Sequence, residues 1–418
     1  PAALPVIEIP EIHFNKVAPL FSNLPEAKQT VDIQPMEQFN QGWGTILYRT
    51  TLPEATSAGT VLKITEVHDW AQIYAGGKLL ARLDRRKGEF TTTLPALKKG
   101  TQLDILVEAM GRVNFDKSIH DRKGITEKVE LVSGNQAKEL KNWTVYNFPV
   151  DYSFIKDKKY NNTKILPSMP AYYKSTFKLD KVGDTFLDMS TWGKGMVWVN
   201  GHAMGRFWEI GPQQTLFMPG CWLKEGENEI LVLDLKGPAK ASIKGLKKPI
   251  LDVLREKAPE THRKDGEKLK LAGEKVTHEG AFTPGNGWQE VRFAAPVKGR
   301  YFCLEALSPQ ANDNIAAVAE FDVLGADGKP VSREHWKIRY ADSEETRSGN
   351  RTADKIFDLQ ESTFWMTVDN VPYPHQLVID LSKVETVTGF RYLPRAEKEY
   401  PGMIKEYRVY VKSADFNY

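Results

Sequence analysis

This chain of 418 residues has few cysteines, only a small excess of positive over negative charge, and no long apolar run. The two cysteines, Cys221 and Cys303, lie far apart in segments of different character, which predicts free thiols and leaves the compartment open. Lys and Arg number 57 against 54 Asp and Glu, so the net charge of +3 gives no electrostatic reason to expect a nucleic-acid partner. No apolar run is long enough for a membrane span.

The chain also lacks the short motifs by which many catalytic sites are recognised. It has no Gly-x-Ser-x-Gly elbow, no phosphate-binding loop and no His or Cys cluster at metal-ligand spacing. It opens PAALPVIEIP, without Met, a basic segment or an apolar core, so no signal peptide is predicted within it. Helical periodicity is scarce, and 247–257 is the best helical candidate, with the character of a connector.

The sequence contains instead many short runs in which apolar and polar residues alternate. These runs are bounded by Gly, Pro, Asn and Asp. Examples are 45–49, 71–74, 103–107 and 230–233. Short strands separated by frequent turn signals are typical of β-sandwiches. The sequence therefore predicts an all-β protein, and its length suggests two to four domains.

An internal repeat at an offset of 124 or 125 residues runs through the first part of the chain. The matched blocks are 48–52 with 173–177, 74–78 with 198–202, and 103–107 with 228–232. Because three strand blocks keep one offset, we expect two copies of one sandwich in tandem.

The most specific pattern in the chain is 196–219, MVWVNGHAMGRFWEIGPQQTLFMP. An alternating strand runs into Asn200-Gly201, a pair typical of tight hairpins because both turn positions need positive φ. The string resembles the pattern W-x-N-G-x-x-x-G-R-Y/F-W…G-P-Q-x-T-L-F-x-P in the C-terminal β-domains of glycoside hydrolase family 35 β-galactosidases. The resemblance covers about 1–255 and implies two tandem galactose-binding-like jelly-roll sandwiches.

The resemblance and the composition together divide the chain. We expect 1–35 to be a linker and interdomain strand that follows a missing barrel, 36–140 the first galactose-binding-like sandwich, and 141–256 the second. Residues 257–268 (KAPETHRKDGEK) are polar and interrupted by Pro and Gly, as linkers are. Residues 269–418 form a last module.

The last module resembles a discoidin domain, also called the factor V/VIII C-type or family 32 carbohydrate-binding module, with its halves in reversed order. Segments 336–338, 353–365 and 376–381 resemble the opening half, and 287–291, 300–307 and 319–323 resemble the closing half. One interpretation is a single circularly permuted sandwich, since domain termini often lie close together. The other is two half-modules with open apolar faces, which are hard to stabilise. We favour the permuted sandwich.

The discoidin resemblance implies two candidate sites. A structural calcium ion would take oxygen ligands from Asp358 and Thr363 in a loop and from Glu320 on the closing strand. The loop departs from the pattern A-x-D-G-D/N-P-S-T-x-W, because Leu359 replaces Gly and Gln360 replaces the acid. Sugar would stack on loop-tip aromatic residues, for which the candidates are Trp288, Trp336 and Tyr373.

No catalytic residue is expected in this chain. A retaining β-galactosidase needs two carboxylates about 5–5.5 Å apart, which the resembled family carries as glutamates on a TIM barrel. Eight strand–helix units of such a barrel are missing from the sequence. Glu209, beside Trp208, is the acidic residue that best suits contact with a substrate, and a structural role in a turn is the expected alternative.

The resemblance implies the non-catalytic C-terminal region of a β-galactosidase, with a carbohydrate-binding role and no required cofactor. The expected partners are glycans that contain β-galactosides and the missing catalytic barrel, and the expected location is periplasmic or extracellular. The alternative is a free-standing carbohydrate-binding or adhesion protein without enzymatic activity. A third interpretation treats all three sandwiches as structural spacers.

Overall fold

The computed structural model describes residues 5–115, 119–162, 169–397 and 399–418. The chain divides into two compact units: unit 1 comprises Pro1–Gln29, Phe39–Leu47 and Thr144–Lys257, and unit 2 comprises Thr30–Gln38, Tyr48–Trp143 and Ala258–Tyr418. Within the described residues the one α-helix is a single turn, α1 (Tyr152–Ile155), so the architecture is all-β, as the sequence predicted. No helix in these residues is long and apolar enough to cross a membrane.

The strands of the first half are β1 (Ile9–His13), β2 (Lys16–Pro19), β3 (Ala27–Thr30), β4 (Gly44–Thr51), β5 (Val61–His68), β6 (Trp70–Ala75), β7 (Lys78–Asp84), β8 (Thr91–Thr93), β9 (Gln102–Ala109), β10 (Gly124–Ser133), β11 (Gln136–Glu139), β12 (Trp143–Phe148), β13 (Asn161–Asn162), β14 (Ala171–Leu179), β15 (Thr185–Asp188), β16 (Lys194–Val199), β17 (His202–Trp208), β18 (Thr215–Met218), β19 (Gly226–Asp234) and β20 (Ser242–Leu246).

The last module adds β21 (His278–Ala281), β22 (Gln289–Ala306), β23 (Ala317–Val318), β24 (Glu320–Leu324), β25 (Lys337–Ala341), β26 (Trp365–Met366), β27 (His375–Leu393) and β28 (Glu406–Lys412). Short 3₁₀ helices lie at Leu20–Ser22, Met36–Phe39, Arg85–Lys87, Gly220–Trp222 and Ala353–Phe357.

The two predicted copies share one topology. In the first copy, one sheet contains the consecutive strands β4-β9-β6-β7 and the other contains β10-β5-β8. In the second copy, the corresponding strands are β14-β19-β16-β17 in one sheet and β20-β15-β18 in the other. Both hairpins turn through two residues of positive φ, Gly76-Gly77 in one and Asn200-Gly201 in the other. The strand register shifts at equivalent places, between Ile73 and Tyr74 and between Val197 and Trp198. The fold-class prediction is confirmed.

The N-terminal segment has a role that the linker prediction for 1–35 did not foresee. Strand β1 pairs with β20, and β2 pairs with both β13 and β14, so two strands of this segment complete the sheets of the second sandwich. Its apolar residues Ile9, Ile12, Phe14 and Val17 belong to the core of that sandwich. Phe14 and Tyr173 both contact Trp192 edge-on, at 5.1 Å between ring centres.

The helix proposed for 247–257 is absent, because Pro249 interrupts the segment and its backbone groups bond elsewhere. The N–H of Val253 donates to Pro212 and that of Arg255 to Ile210, so the segment lies extended against the loop after β17. Both cysteines are free, as predicted, with Cys221 exposed and Cys303 buried.

The last module closes into one sandwich. Its main sheet has the order β21-β28-β22-β27-β24, with β25 also paired to β27. Strand β22 comes from the segment that resembles the closing half of a discoidin domain, and β27 comes from the opening half. The two strands face one core that includes Phe302, Phe321, Trp365, Ile379 and Phe390. The interpretation as a single sandwich, rather than two half-modules, is confirmed.

The predicted linker, 257–268, contains neither strand nor helix. It is nevertheless attached to the module, because His262 binds Glu344 through both its backbone N–H, at 2.5 Å, and its ring Nδ1, at 2.8 Å. Arg263 also donates to the carbonyl of Asp342 at 2.8 Å.

Candidate functional site

Glu320, Asp358 and Thr363, the residues that the sequence suggested as calcium ligands, lie together in the last module. Glu320 begins β24, whereas Asp358 follows the 3₁₀ helix Ala353–Phe357 and Thr363 closes the loop. The backbone N–H of Gln360 joins the two segments, because it donates to Glu320 Oε1 at 2.8 Å and to Asp358 Oδ1 at 3.0 Å. The Thr363 hydroxyl lies 2.9 and 2.8 Å from the two carboxylate oxygens of Asp358.

Leu359, in this loop, has a backbone conformation that glycine adopts more readily than other residues. Its φ is 65°, in the left-handed region where a side chain is unfavourable by about 1–2 kcal/mol. The surrounding contacts therefore impose the loop conformation on a residue that does not favour it.

The protein itself supplies the positive charge at this cluster. Arg333 Nη1 bonds Glu320 Oε2, and Arg333 Nη2 lies 2.8 Å from Asp322 Oδ1. Lys355 Nζ lies 3.9 Å from Asp358 Oδ2. Both oxygens of Glu320 and both of Asp358 thus have partners, whereas calcium needs roughly six to eight oxygen ligands.

The pKa values of two of these carboxyl groups are shifted by burial and by neighbouring charges. Burial, together with the nearby negative charge of Glu320, raises the pKa of Asp358 well above its usual range. Burial likewise raises the pKa of Glu320, although Arg333 opposes this effect. In the described residues no three His, Cys, Asp or Glu side chains are grouped to hold a metal ion. The residues present fit an internal ion-pair network and do not fit a calcium site.

Trp288, the first aromatic candidate for sugar binding, is half-buried at the surface of the module. The guanidinium carbon of Arg391 lies 4.5 Å from its ring centre, and its Nε1 approaches Glu361 Oε1 at 3.4 Å. These contacts hold the indole in place beside a cavity of about 420 Å³.

The other two aromatic candidates, Trp336 and Tyr373, make contacts within the module. Trp336 is 6% exposed and packs edge-on against Phe357 in the core. Tyr373 donates its hydroxyl to the Ile315 carbonyl at 2.6 Å and packs edge-on against His375. Trp336 lines a different cavity from Trp288, and Tyr373 lines none of the described cavities, so the structure does not gather the three into one site.

The cavity beside Trp288 lies within unit 2, at the junction of the first sandwich and the last module. Residues that line it are Lys63, Thr65, Glu66 and Lys128 from the sandwich and Trp288, Glu320, Arg333, Leu359, Gln360, Glu361 and Ser362 from the module. A larger cleft of about 1010 Å³ adjoins it, and Arg333 and Leu359 line both.

The acidic residues near one another in the first sandwich are bridged by cations. Lys123 Nζ lies 2.7 Å from Asp69 Oδ2 and 2.8 Å from Asp121 Oδ2, and Arg85 Nη1 lies 2.8 Å from the other oxygen of each. Burial alone would raise the pKa of Asp121, but hydrogen bonds from Lys123, the Val113 N–H and Arg85 outweigh it and lower the pKa to about 2. A glycosidase acid needs a raised pKa, whereas the pKa of Asp121 is lowered.

Glu209, the single acid singled out from the sequence, forms an ion pair with Lys236. The turn role therefore describes it better than a catalytic one.

The sequence did not point to Lys63, Lys128, Arg333 or Gln360. The lysines are half-buried on strands β5 and β10, where alternation predicts only a polar residue. Of these four residues, only Gln360 stood out in the sequence, because the resembled loop carries an acid at this position.

Family models match three segments of the chain. Residues 34–149 match the β-galactosidase first all-beta domain, 170–228 match the β-galactosidase galactose-binding domain, and 340–418 match the F5/8 type C domain. These matches confirm both resemblances that the sequence patterns indicated.

Curated relatives are similar over the first part of the chain. Beta-galactosidase-1-like protein 2 of Homo sapiens is 34% identical over 206 residues, which are 48% of this chain and 31% of the relative. Beta-galactosidase 1 of Dictyostelium discoideum is 34% identical, with 53% and 35% covered, and Beta-galactosidase of Bos taurus is 35% identical, with 53% and 37% covered. The chain therefore spans about a third of the length of these relatives.

Among solved structures, a lectin from Pleurotus ostreatus in complex with GalNAc matches with 11% identity and a TM-score of 0.19, over 55% of this chain and 80% of the lectin. A TM-score this low does not establish a common fold.

Proposed function

We propose that this chain is the non-catalytic C-terminal region of a β-galactosidase and that it binds β-galactoside-containing glycans. The full enzyme would hydrolyse terminal β-galactosyl residues by a retaining double displacement, with both carboxylates on a barrel outside these 418 residues. The observation that carries the proposal is the match of 34–149 and 170–228 to two β-galactosidase domains.

The charge arrangement supports a non-catalytic role. Asp69 and Asp121 are held by Lys123 and Arg85, and Glu320 is held by Arg333. Each of these carboxylates is thus paired with a fixed cation, which is the arrangement of a structural ion pair.

The glycan-binding part of the proposal rests on Trp288. A fixed, half-exposed indole beside a cavity rich in polar groups suits a sugar ring, whose apolar face stacks on aromatic rings while its hydroxyls take hydrogen bonds. A periplasmic or extracellular location, where such glycans occur, belongs to the same proposal.

A chromogenic β-galactoside assay on the 418-residue chain tests the catalytic part. We expect no turnover, and turnover that disappears when a carboxylate of this chain is replaced would overturn the proposal. The second candidate, a free-standing adhesion protein, is favoured only by the F5/8 type C match at 340–418. Co-purification of the chain with a β-galactosidase barrel expressed separately distinguishes the two, because an adhesion protein would not bind it.

A further inference from the structure

The cavity beside Trp288 is lined by two different domains. Its module side carries Trp288, Gln360 and Glu361, and its sandwich side carries Lys63 and Lys128. All of these residues belong to unit 2. We propose that this cavity is a composite saccharide site, in which the first sandwich supplies hydrogen-bonding groups to the same neutral sugar that stacks on Trp288; the proposal rests on the glycan-binding function above.

Gln360 carries the strongest sign of a missing partner. It is 6% exposed, and its Nε2 has no hydrogen-bond partner in the described part of the chain. A buried amide without a partner is unfavourable by about 1–3 kcal/mol, and a ligand hydroxyl that accepted a hydrogen bond from Nε2 would remove this cost. Leu359, the neighbouring residue in the left-handed conformation, also lines the cavity.

The sandwich side supplies complementary groups. Lys63, on β5, has no ion-pair or hydrogen-bond partner for its ammonium among the residues that the structure describes, and Lys128, on β10, is 3.0 Å from Glu130. Glu66 is 2.9 Å from His68 and can still accept through its other oxygen. The lysines can thus donate to sugar hydroxyls from the side of the cavity opposite to the module.

The balance of charges favours a neutral sugar over an anionic one. The cavity lining contains three cations, Lys63, Lys128 and Arg333, and three acids, Glu66, Glu320 and Glu361. A hydroxyl both donates and accepts, so it suits a wall of mixed donors and acceptors, whereas a lining without net charge offers no overall attraction to a sulfate or carboxylate. The volume of about 420 Å³ suffices for one or two sugar units.

The test measures binding of methyl β-galactoside and of a β-linked galactobiose to the full chain by ligand-observed NMR and calorimetry. Cellobiose is the control sugar. The variants are Lys63→Ala and Lys128→Ala on the sandwich side, Gln360→Met and Trp288→Ala on the module side, and Lys98→Ala as a control lysine outside the cavity. We expect millimolar binding by the unaltered chain and about tenfold weakening by each cavity variant, because each removes one hydrogen bond or the stacking surface. Lys98→Ala should bind as the unaltered chain does.

Gln360→Met separates a binding role from a structural one. If Nε2 serves a ligand, this variant should bind more weakly while its thermal stability is unchanged or higher, since an unsatisfied buried group is removed. Higher stability with unchanged binding would overturn the composite site.

The remaining outcomes distinguish the two proposals. Loss of binding in Trp288→Ala with full binding in Lys63→Ala and Lys128→Ala would overturn the composite site and leave glycan binding by the module intact. Binding that survives Trp288→Ala would place the sugar elsewhere and overturn the composite site. Absence of any saccharide binding by the unaltered chain would overturn the glycan-binding function itself.

Discussion

Leu304 lies directly opposite Leu377 in the antiparallel pair of β22 and β27. The two side chains are 2% and 0% exposed, and they come from the segments that resemble the closing and the opening half of a discoidin domain. Burying a leucine contributes about 1.5–3 kcal/mol, which neither half would gain alone. This pair is the physical reason why the reversed order still yields one domain.

Leu304→Ala should destabilise the whole module. We expect a loss of about 2–5 kcal/mol, because the residue is buried and the cavity left behind cannot collapse fully. Hydrogen exchange should show loss of protection in β22 and β27 together. Val384→Ala, at a position 52% exposed in the same module, is the control and should change stability by about 0.5 kcal/mol or less. Loss of protection confined to one half would contradict the single core.

Gly201→Val should destabilise the second sandwich by about 1–3 kcal/mol, since a β-branched residue at positive φ is strained. The φ of Gly201 is 85°, and a Cβ there would lie 3.3 Å from Tyr152 Cε1. Differential scanning calorimetry of the full chain measures the effect. Gly287→Ala is the control, because its φ is not in the left-handed region and no atom lies within 4 Å of the added carbon. An unchanged melting temperature for Gly201→Val would argue against the tight turn.

The attachment of 257–268 to the module should weaken as pH rises. Burial alone would lower the pKa of His262, but the hydrogen bond and charge of Glu344 outweigh it and raise the pKa above 6.5. Because the folded pKa is above the unfolded one, this contribution to stability is complete below about pH 6.5 and is lost as pH rises through the folded value. Hydrogen exchange of amides 260–266 across pH 6 to 9 measures it, after correction for intrinsic exchange rates. His262→Gln should abolish the pH dependence, and an unchanged dependence in that variant would refute the assignment.

Chelation of calcium should leave the thermal stability of the module unchanged, because Arg333 already pairs with Glu320 and Lys355 lies 3.9 Å from Asp358. Arg333→Met should instead lower stability by about 3–5 kcal/mol, since it leaves Glu320 buried without its partner. Lys329→Met, which removes an exposed cation from the same loop, is the control. A melting temperature that falls with EDTA and recovers with calcium would show that the ion-pair interpretation is wrong.

Short-range patterns accounted for much of the fold. Apolar alternation identified strands, and the Asn200-Gly201 pair identified a hairpin whose φ values, 49° and 85°, are those that the turn requires. The constant offset between copies predicted a common topology before any strand pairing was known. These features depend on neighbouring residues, so the sequence expresses them directly.

Long-range pairings and buried charges could not be predicted in the same way. Strand β1 pairs with β20 from the far end of the second sandwich, and no local pattern at Ile9–His13 names that partner. Asp358 and Glu320 were placed correctly by resemblance, but the guanidinium that neutralises Glu320 comes from Arg333, whose side chain reaches the loop only once β24 is in register.

The sequence by itself determined the all-β class, because alternation and turn chemistry act over a few residues. The repeat offset indicated the two tandem sandwiches, and family resemblance indicated the discoidin-type module. Only the tertiary structure decided that the N-terminal strands complete the second sandwich, that Arg333 forms an ion pair with Glu320, and that Lys63 and Trp288 line one cavity. These last relationships follow from which apolar faces bury each other, and burial brings together residues that the chain itself keeps far apart.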